Sequence, residues 1–143
     1  MFKGIIAITK NYAIVKIDGI VSDDLLNLNV IFEENNKKIL GEIEEIINGE
    51  AKINFLGEFH NNKFFDGIIR KPSINASIRI INADELKEIT GNNDQYSMTL
   101  GLSPLYNDTP IKINIDDMWS NHSAIFGNTG SGKTYGVARV VQN

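Results

Sequence analysis

The sequence predicts a mainly β fold class, in which a small N-terminal β-barrel is followed by the start of an α/β domain. Two observations support this prediction. Over the first eighty or so residues, apolar and polar residues alternate in many short runs, as they do in half-buried strands. Near the end of the chain, an apolar run, a glycine-rich string and a helical pattern follow one another. We therefore expect two regions of different architecture.

Six runs with period-two alternation account for the predicted barrel, over residues 1–82. Isoleucine dominates the runs, and β-branched side chains favour strands. In chain order they are GIIAIT, YAIVKI, NVIFEE, KILGEIEEI, AKINFLGEF and SIRII. Short strands of this kind suit a small barrel if tight turns connect them.

The stretches between the runs are short and polar, as turns are. They are KN at Lys10, ENNK at Glu34, NGE at Asn48, HNNK at His60 and KPSINA at Lys71. Four glycines within or beside the runs are expected to mark bulges or bends: Gly41, Gly49, Gly57 and Gly67.

A helix and a linker are predicted next, over residues 83–96. In NADELKEIT, Asn82 is expected to cap the helix, and Glu85, three residues later, completes a capping box. The stretch TGNNDQYS that follows is polar and contains glycine, which is typical of a linker.

Residues 97–143 are predicted to begin a second domain. Its first two strands are SMTLGL and IKINID, and Ile111, Ile113 and Ile115 are expected on one face of the second strand. Residues 124–126 are expected to form a further apolar strand before the glycine-rich string. A helix is expected from about Lys133 onward, with an apolar stripe formed by valines at helical spacing: Val137, Val140 and Val141.

The glycine-rich string GNTGSGKT matches the pattern G-x-x-x-x-G-K-[ST], a phosphate-binding loop, or P-loop. Backbone N–H groups must point inward around a phosphate, and glycine adopts the necessary dihedral angles at little cost. A strand before the string and a helix after it are the context in which this motif binds nucleotides. The predicted cofactor-binding residues are Gly127, Asn128, Thr129, Gly130, Ser131, Gly132, Lys133 and Thr134.

Lys133 and Thr134 are also the predicted catalytic residues, with ATP and Mg²⁺ as cofactors. The Lys133 ammonium is expected to neutralise the β- and γ-phosphates, and the Thr134 hydroxyl is expected to be the metal ligand, for Mg²⁺. Hydrolysis needs further groups that hold the metal and orient water. Since the chain ends nine positions after Thr134, we expect it to be the truncated start of a P-loop ATPase core and inactive by itself.

Composition restricts the partners and the compartment. The formal net charge is −4 and the pI is near 5.1, so the chain as a whole does not attract nucleic acid, and any DNA contact requires a local patch or other sequence. Cysteine is absent, which excludes disulfides and thiolate metal sites. Lysines interrupt the apolar N-terminus before a signal peptide or membrane span can form, so we predict a cytoplasmic protein without a membrane partner.

Two long stretches carry a family resemblance: GIIRKPSINASIRIINADELKEI and IKINIDDMWSNHSAIFGNTGSGKT. In their motifs and in the order of barrel and P-loop, they resemble the HerA-like branch of the HerA/FtsK ATPases, whose barrel is related to that of ATP synthase subunits. His122 lies where the family has a histidine. The chain departs from the family at Asn75, where glycine often follows the Arg-x-Pro turn.

The resemblance implies a hexameric, ATP-driven translocase or helicase that acts on double-stranded DNA. In this family, the barrels form a ring and dock a partner nuclease or a defence effector, so DNA end processing or antiphage defence is the implied setting. The chain would then be the N-terminal portion of such a motor, with the DNA contacts made by the rest of the core.

Two alternatives remain open from the sequence. The chain is either a non-catalytic barrel module for ring assembly and partner docking, or part of another RecA-like or rotary P-loop ATPase. A Walker B strand that ends in Asp-Glu, beyond Asn143, would favour the motor. His60 and His122 are isolated in the sequence from other metal ligands, so no metal site is predicted from them.

Overall fold

The computed structural model describes residues 1–18, 25–90, 96–106, 108–120 and 124–142. They form two compact units, Met1–Leu86 and Lys87–Asn143. The predicted fold class is confirmed, because strands predominate and the N-terminal strands form one strongly curled sheet, a half-barrel. Most of the predicted linker lies in residues 91–95, outside the described residues, and the domain division of the sequence stays a prediction.

Seven strands build the first unit. All six predicted runs are strands, and the sequence did not predict a seventh, β6, because its residues KFFD do not alternate between apolar and polar. The strands are β1 (Phe2–Ile8), β2 (Tyr12–Ile17), β3 (Asn29–Glu34), β4 (Lys37–Ile47), β5 (Glu50–His60), β6 (Lys63–Asp66) and β7 (Ser77–Ile80).

Asparagine sets the tight turns of this sheet. Three hairpins have two-residue connections with positive φ at both positions, as in type I′ turns, and these turns match the twist of the flanking strands. The connections are Asn35 and Asn36, Asn48 and Gly49, and Asn61 and Asn62. The predicted turns at ENNK, NGE and HNNK are therefore confirmed, and the last of them leads into β6.

The sheet has the strand order β1-β2-β5-β4-β3-β7, and neighbouring strands in this order are antiparallel. The sheet curls so far that its two edge strands, β1 and β7, approach each other, but they do not pair. Alternate residues of the strands point inward and form the core. The fully buried members include Val15, Val30, Phe32, Ile43 and Ile53.

The strand β5 organises the sheet, because it pairs with β2 and β4 along its first half and with β4 and β6 along its second half. A register shift opposite Leu40 and Gly41 bends the β4–β5 pair. Gly57 lies at this shift, and a Cβ there would lie 2.5 Å from Phe64 Cζ and would also meet the carbonyl oxygen of Phe65. The close approach of β6 to β5 therefore requires glycine at position 57.

Helix α1 (Ala83–Ile89) begins with the predicted capping box. The Glu85 amide donates to Asn82 Oδ1 at 2.9 Å, and the Asn82 amide donates to Glu85 Oε2 at 3.2 Å. The carboxylate of Glu85 also accepts two hydrogen bonds from the Arg79 guanidinium, at 2.8 and 2.6 Å, and one from Lys38 at 2.8 Å. Glu85 thus joins the helix to strands β7 and β4.

The Glu85 carboxyl is 8% exposed, and burial alone would favour its neutral form. The hydrogen bonds from Arg79, Lys38 and the Asn82 amide outweigh burial and lower the pKa of Glu85 to about 2. The same contact raises the pKa of Arg79 above its ordinary value. Both groups are therefore charged at neutral pH.

The second unit contains a hairpin and two helices. Strand β8 (Ser97–Ser103) pairs with β9 (Thr109–Asn114), and a 3₁₀ turn, Pro104–Tyr106, begins their connection. Helix α2 (Ile115–Ser120) and helix α3 (Lys133–Val141) follow. Ile115 was predicted in the strand, which was wrong, because it begins α2 and its amide bonds to the Tyr96 carbonyl.

The pKa of Glu85 predicts a pH dependence of stability. Because its folded pKa lies below the unfolded value of about 4.5, the ionised carboxylate stabilises the fold above pH 4.5, and this contribution falls as the pH drops towards 2. We expect Glu85→Gln to lower the free energy of unfolding by about 1–3 kcal/mol at pH 7, with little difference from the wild type near pH 2. Urea denaturation across this range measures the effect.

The matched control for this prediction is Asp66→Asn, which removes an exposed carboxylate that has no salt bridge within the described residues. It should change the unfolding free energy by less than about 0.5 kcal/mol. An equal loss in both variants would contradict the role assigned to Glu85.

The close contact at Gly57 predicts that Gly57→Ala destabilises the first unit by about 1–3 kcal/mol, because the added methyl group meets backbone that cannot move without disturbing β6. Gly101→Ala is the control, since a Cβ at that strand position has no neighbour within 4 Å. Denaturation midpoints compare the two, and an unchanged midpoint for Gly57→Ala would show that β6 moves freely.

Candidate functional site

The glycine-rich string forms a compact loop between residues without regular structure and helix α3. Gly130 and Gly132 have φ values of 83° and 82°, in the left-handed region that glycine adopts without strain. The Ser131 amide donates to the Asn128 carbonyl at 3.1 Å, which closes a turn inside the loop. The two left-handed glycines reverse the chain direction and then start the helix.

Gly127 lies directly beneath two side chains of the loop. A Cβ there would lie 2.6 Å from Ser131 Oγ and 3.3 Å from Lys133 Cγ. The loop thus folds back over its own first residue. Among the three motif glycines, Gly127 lets the Ser131 and Lys133 side chains lie close to the backbone, and Gly130 and Gly132 supply left-handed dihedral angles.

The Lys133 side chain reaches back into the loop. Its ammonium donates to the carbonyl oxygens of Gly127 and Asn128, both at 2.6 Å. These bonds hold a positive charge at the mouth of the loop, and no carboxylate of the described residues forms a salt bridge with it. An ammonium in this position fits a phosphate, because phosphate oxygens can replace the neutral carbonyls as acceptors.

Helix α3 begins at Lys133, directly after the loop, and Gly132 supplies no side-chain cap. The first intrahelical bond runs from the Gly136 amide to the Gly132 carbonyl, at 2.8 Å. The backbone amides that precede Gly136 in the first turn have no acceptor within the helix, so they can donate to a ligand or to water. The positive end of the helix dipole therefore points towards the loop.

Residues 124–126 do not form the predicted strand. A strand exists only through pairing, and none of the described strands pairs with this run. Its side chains are exposed, with Ile125 at 55% and Phe126 at 91%. The apolar pattern therefore identifies a segment suited to a buried strand, while the strand itself depends on neighbours that the described residues lack.

The predicted site residues lie together as one loop and the first turn of one helix. Thr134 is exposed in that turn, beside Lys133. The valine stripe on α3 is also present as exposed apolar surface, with Val137 at 42% and Val141 at 61%. His122 lies outside the described residues.

Sequence reasoning missed one cluster. His60 was considered isolated, but its Nε2 lies 2.7 Å from Oε1 of Glu58, which is 2% exposed. Burial opposes ionisation of Glu58, yet the bonds from His60 and Lys37 outweigh it and hold the pKa of Glu58 below its usual value. The signal was present, since residues two apart on a strand share a face.

The Glu58 cluster does not provide a metal centre: within the described ranges, no group of three or more metal-ligating side chains exists. Its contacts are instead with the loop after β6, where Lys37 donates to the Arg70 carbonyl and also lies 3.4 Å from Glu58. We therefore assign it a structural role in positioning that loop.

Comparison with known protein families shows a match in the second unit. Residues 98–143, about a third of the chain, match the family model described as the central domain of the helicase HerA. The matched segment starts in β8 and includes the whole phosphate-binding loop. No curated protein matches the chain. Of the helices that the structure describes, none has the length and apolarity needed to cross a bilayer.

The family match agrees with the resemblance carried by the barrel ending, the approach to the loop and the loop itself. It favours a HerA-like protein over another RecA-like or rotary ATPase, which the sequence alone left open. The matched residues 98–143 are thus similar to the central domain of the helicase HerA, and they include the loop whose geometry is described above.

Proposed function

We propose that the chain is the N-terminal portion of an ATP-dependent motor that translocates or unwinds double-stranded DNA. The HerA-type domain indicates an ATPase or translocase function of the complete protein. The observation that carries the proposal is the Lys133 ammonium held at the mouth of a loop built on left-handed glycines. This arrangement suits the polyphosphate of a nucleotide.

The residues of the loop have separate roles in this proposal. The ammonium of Lys133 binds the β- and γ-phosphates and neutralises their charge, while the loop amides and the start of α3 donate to phosphate oxygens. The Thr134 hydroxyl ligates Mg²⁺. When bound, Mg²⁺ neutralises charge on the transferred phosphoryl group. The chain itself binds and orients the nucleotide, and residues elsewhere in the protein activate water.

The remaining parts of the proposal concern assembly and partners. The complete protein works as a homo-hexamer in the cytoplasm, and the half-barrel unit serves ring assembly and the docking of a nuclease or a defence effector. Its core is closed within residues 1–86, which suits a separate assembly module. The settings that follow from this proposal are DNA end processing and antiphage defence.

Lys133→Ala in the complete protein is expected to abolish ATPase activity and to weaken nucleotide binding by at least about 100-fold, because a charge-assisted bond to phosphate is lost. The half-barrel should stay folded, since Lys133 is not part of its core. Nucleotide affinity by calorimetry and phosphate release measure the two effects.

Arg139→Ala is the matched control, because Arg139 is an exposed cation on the same helix and lies away from the loop. It should keep nucleotide affinity within about 3-fold of the wild type. A Lys133→Ala protein that still binds and hydrolyses ATP would overturn the assignment of the site.

A further inference from the structure

Helix α3 carries an exposed aromatic side chain in its first turn. Tyr135 is the third residue of the helix and is 79% exposed. Within the part of the chain that the structure describes, it forms no hydrogen bond and no ring contact. A tyrosine ring is a large, flat and mostly apolar surface. The ring of Tyr135 is therefore available to a flat group of a ligand.

The direction of helical side chains places this ring on the loop side of α3. Side chains in a helix tilt towards its N-terminus, and a long side chain covers the turn that precedes its own Cα. For Tyr135, the residues three and four positions earlier are Gly132 and Ser131, which belong to the phosphate-binding loop. Gly132 has no side chain that could separate the ring from the loop. Tyr135 therefore lies beside the phosphate site.

The free backbone amides of the first turn indicate where the rest of a nucleotide would lie. Three amides precede the first intrahelical bond, those of Lys133, Thr134 and Tyr135, and none of them has an acceptor among the described residues. If the β- and γ-phosphates lie at the Lys133 ammonium, the α-phosphate must extend along this turn, where the Tyr135 amide is the last free donor. Because the α-phosphate carries the nucleoside, the nucleoside leaves the loop next to Tyr135.

The helix surface next to Tyr135 is bare. Gly136 follows it inside the helix, where glycine is less favourable than alanine. A Cβ at Gly136 would have no neighbour within 4 Å, so no contact between described residues requires glycine at this position. The missing side chain leaves room for a flat group to lie against the helix beside the ring.

We propose that Tyr135 binds the nucleobase of the nucleotide by stacking its ring on the base, while Gly136 leaves room for the base. The site then selects nucleoside triphosphates over inorganic polyphosphates, which have no base. Stacking requires only the π face that every base has, so Tyr135 itself does not distinguish ATP from GTP. This inference deepens the proposed nucleotide-binding function and rests on it.

Calorimetry on the complete protein with ATP and with inorganic tripolyphosphate, both in the presence of Mg²⁺, tests the inference. Tripolyphosphate has the three phosphates of ATP without the nucleoside. We expect Tyr135→Ala to weaken ATP binding by about 10-fold, because stacking on the base is lost. Tripolyphosphate affinity should stay within about 2-fold of the wild type. GTP binding should weaken by the same factor as ATP binding.

Tyr135→Phe is the matched control, since it keeps the ring and removes only the hydroxyl, and ATP affinity should stay within about 3-fold of the wild type. Tyr135→Leu, which is apolar but has no ring, should behave like Tyr135→Ala. Equal weakening of ATP and tripolyphosphate in Tyr135→Ala is incompatible with stacking, and so is an unchanged affinity for ATP. Failure of the proposed function has a different result: the wild type then binds neither compound, or Lys133→Ala binds both as tightly as the wild type.

Discussion

The pairing of β5 with its neighbours is the constraint on which the first unit depends. Each residue of an extended strand has one donor and one acceptor to satisfy, and β5 does so by changing partners along its length, from β2 to β6, while β4 stays on its other side. This change is compatible with a curled sheet only if the strand bends. The register shift beside Gly57 supplies the bend, and the absence of a side chain there lets β6 lie close.

The curled sheet also determines where charge is placed. Carboxylates of the first unit are paired with cations from other elements: Glu85 of α1 with Arg79 and Lys38, and Glu33 of β3 with Arg79. These contacts fix α1 and β7 relative to β3 and β4.

Much of this fold could be predicted from the sequence, because the decisive signals are local. Asparagine tolerates positive φ, so the Asn–Asn and Asn–Gly turns could be located, and the Asn82 and Glu85 spacing identified the start of α1. The features that escaped prediction depend on distant partners. Residues 124–126 have a strand pattern without a paired strand, and Ile115 continues the alternation of β9 yet begins a helix.

The same division between local and distant signals holds for the phosphate-binding loop. The loop residues and their order could be identified from the motif, whereas the bonds from Lys133 to two loop carbonyls could not, because they depend on the turn closed between Asn128 and Ser131. The link between Glu58 and His60 was visible in the strand period but was passed over. Its contribution to the loop after β6 required knowledge of Lys37, which lies on another strand.

The bonds of Lys133 within its own loop also affect which anions the protein selects. The Lys133 ammonium already has two carbonyl acceptors. When a ligand replaces them, the gain is only the difference in free energy between hydrogen bonds to the ligand oxygens and hydrogen bonds to the neutral carbonyls. For a singly charged ion such as chloride or acetate this difference is small, and for a polyphosphate, whose charge is spread over many oxygens, it is large. The loop thereby discriminates by the total charge of the anion, and cellular salt is a poor competitor for it.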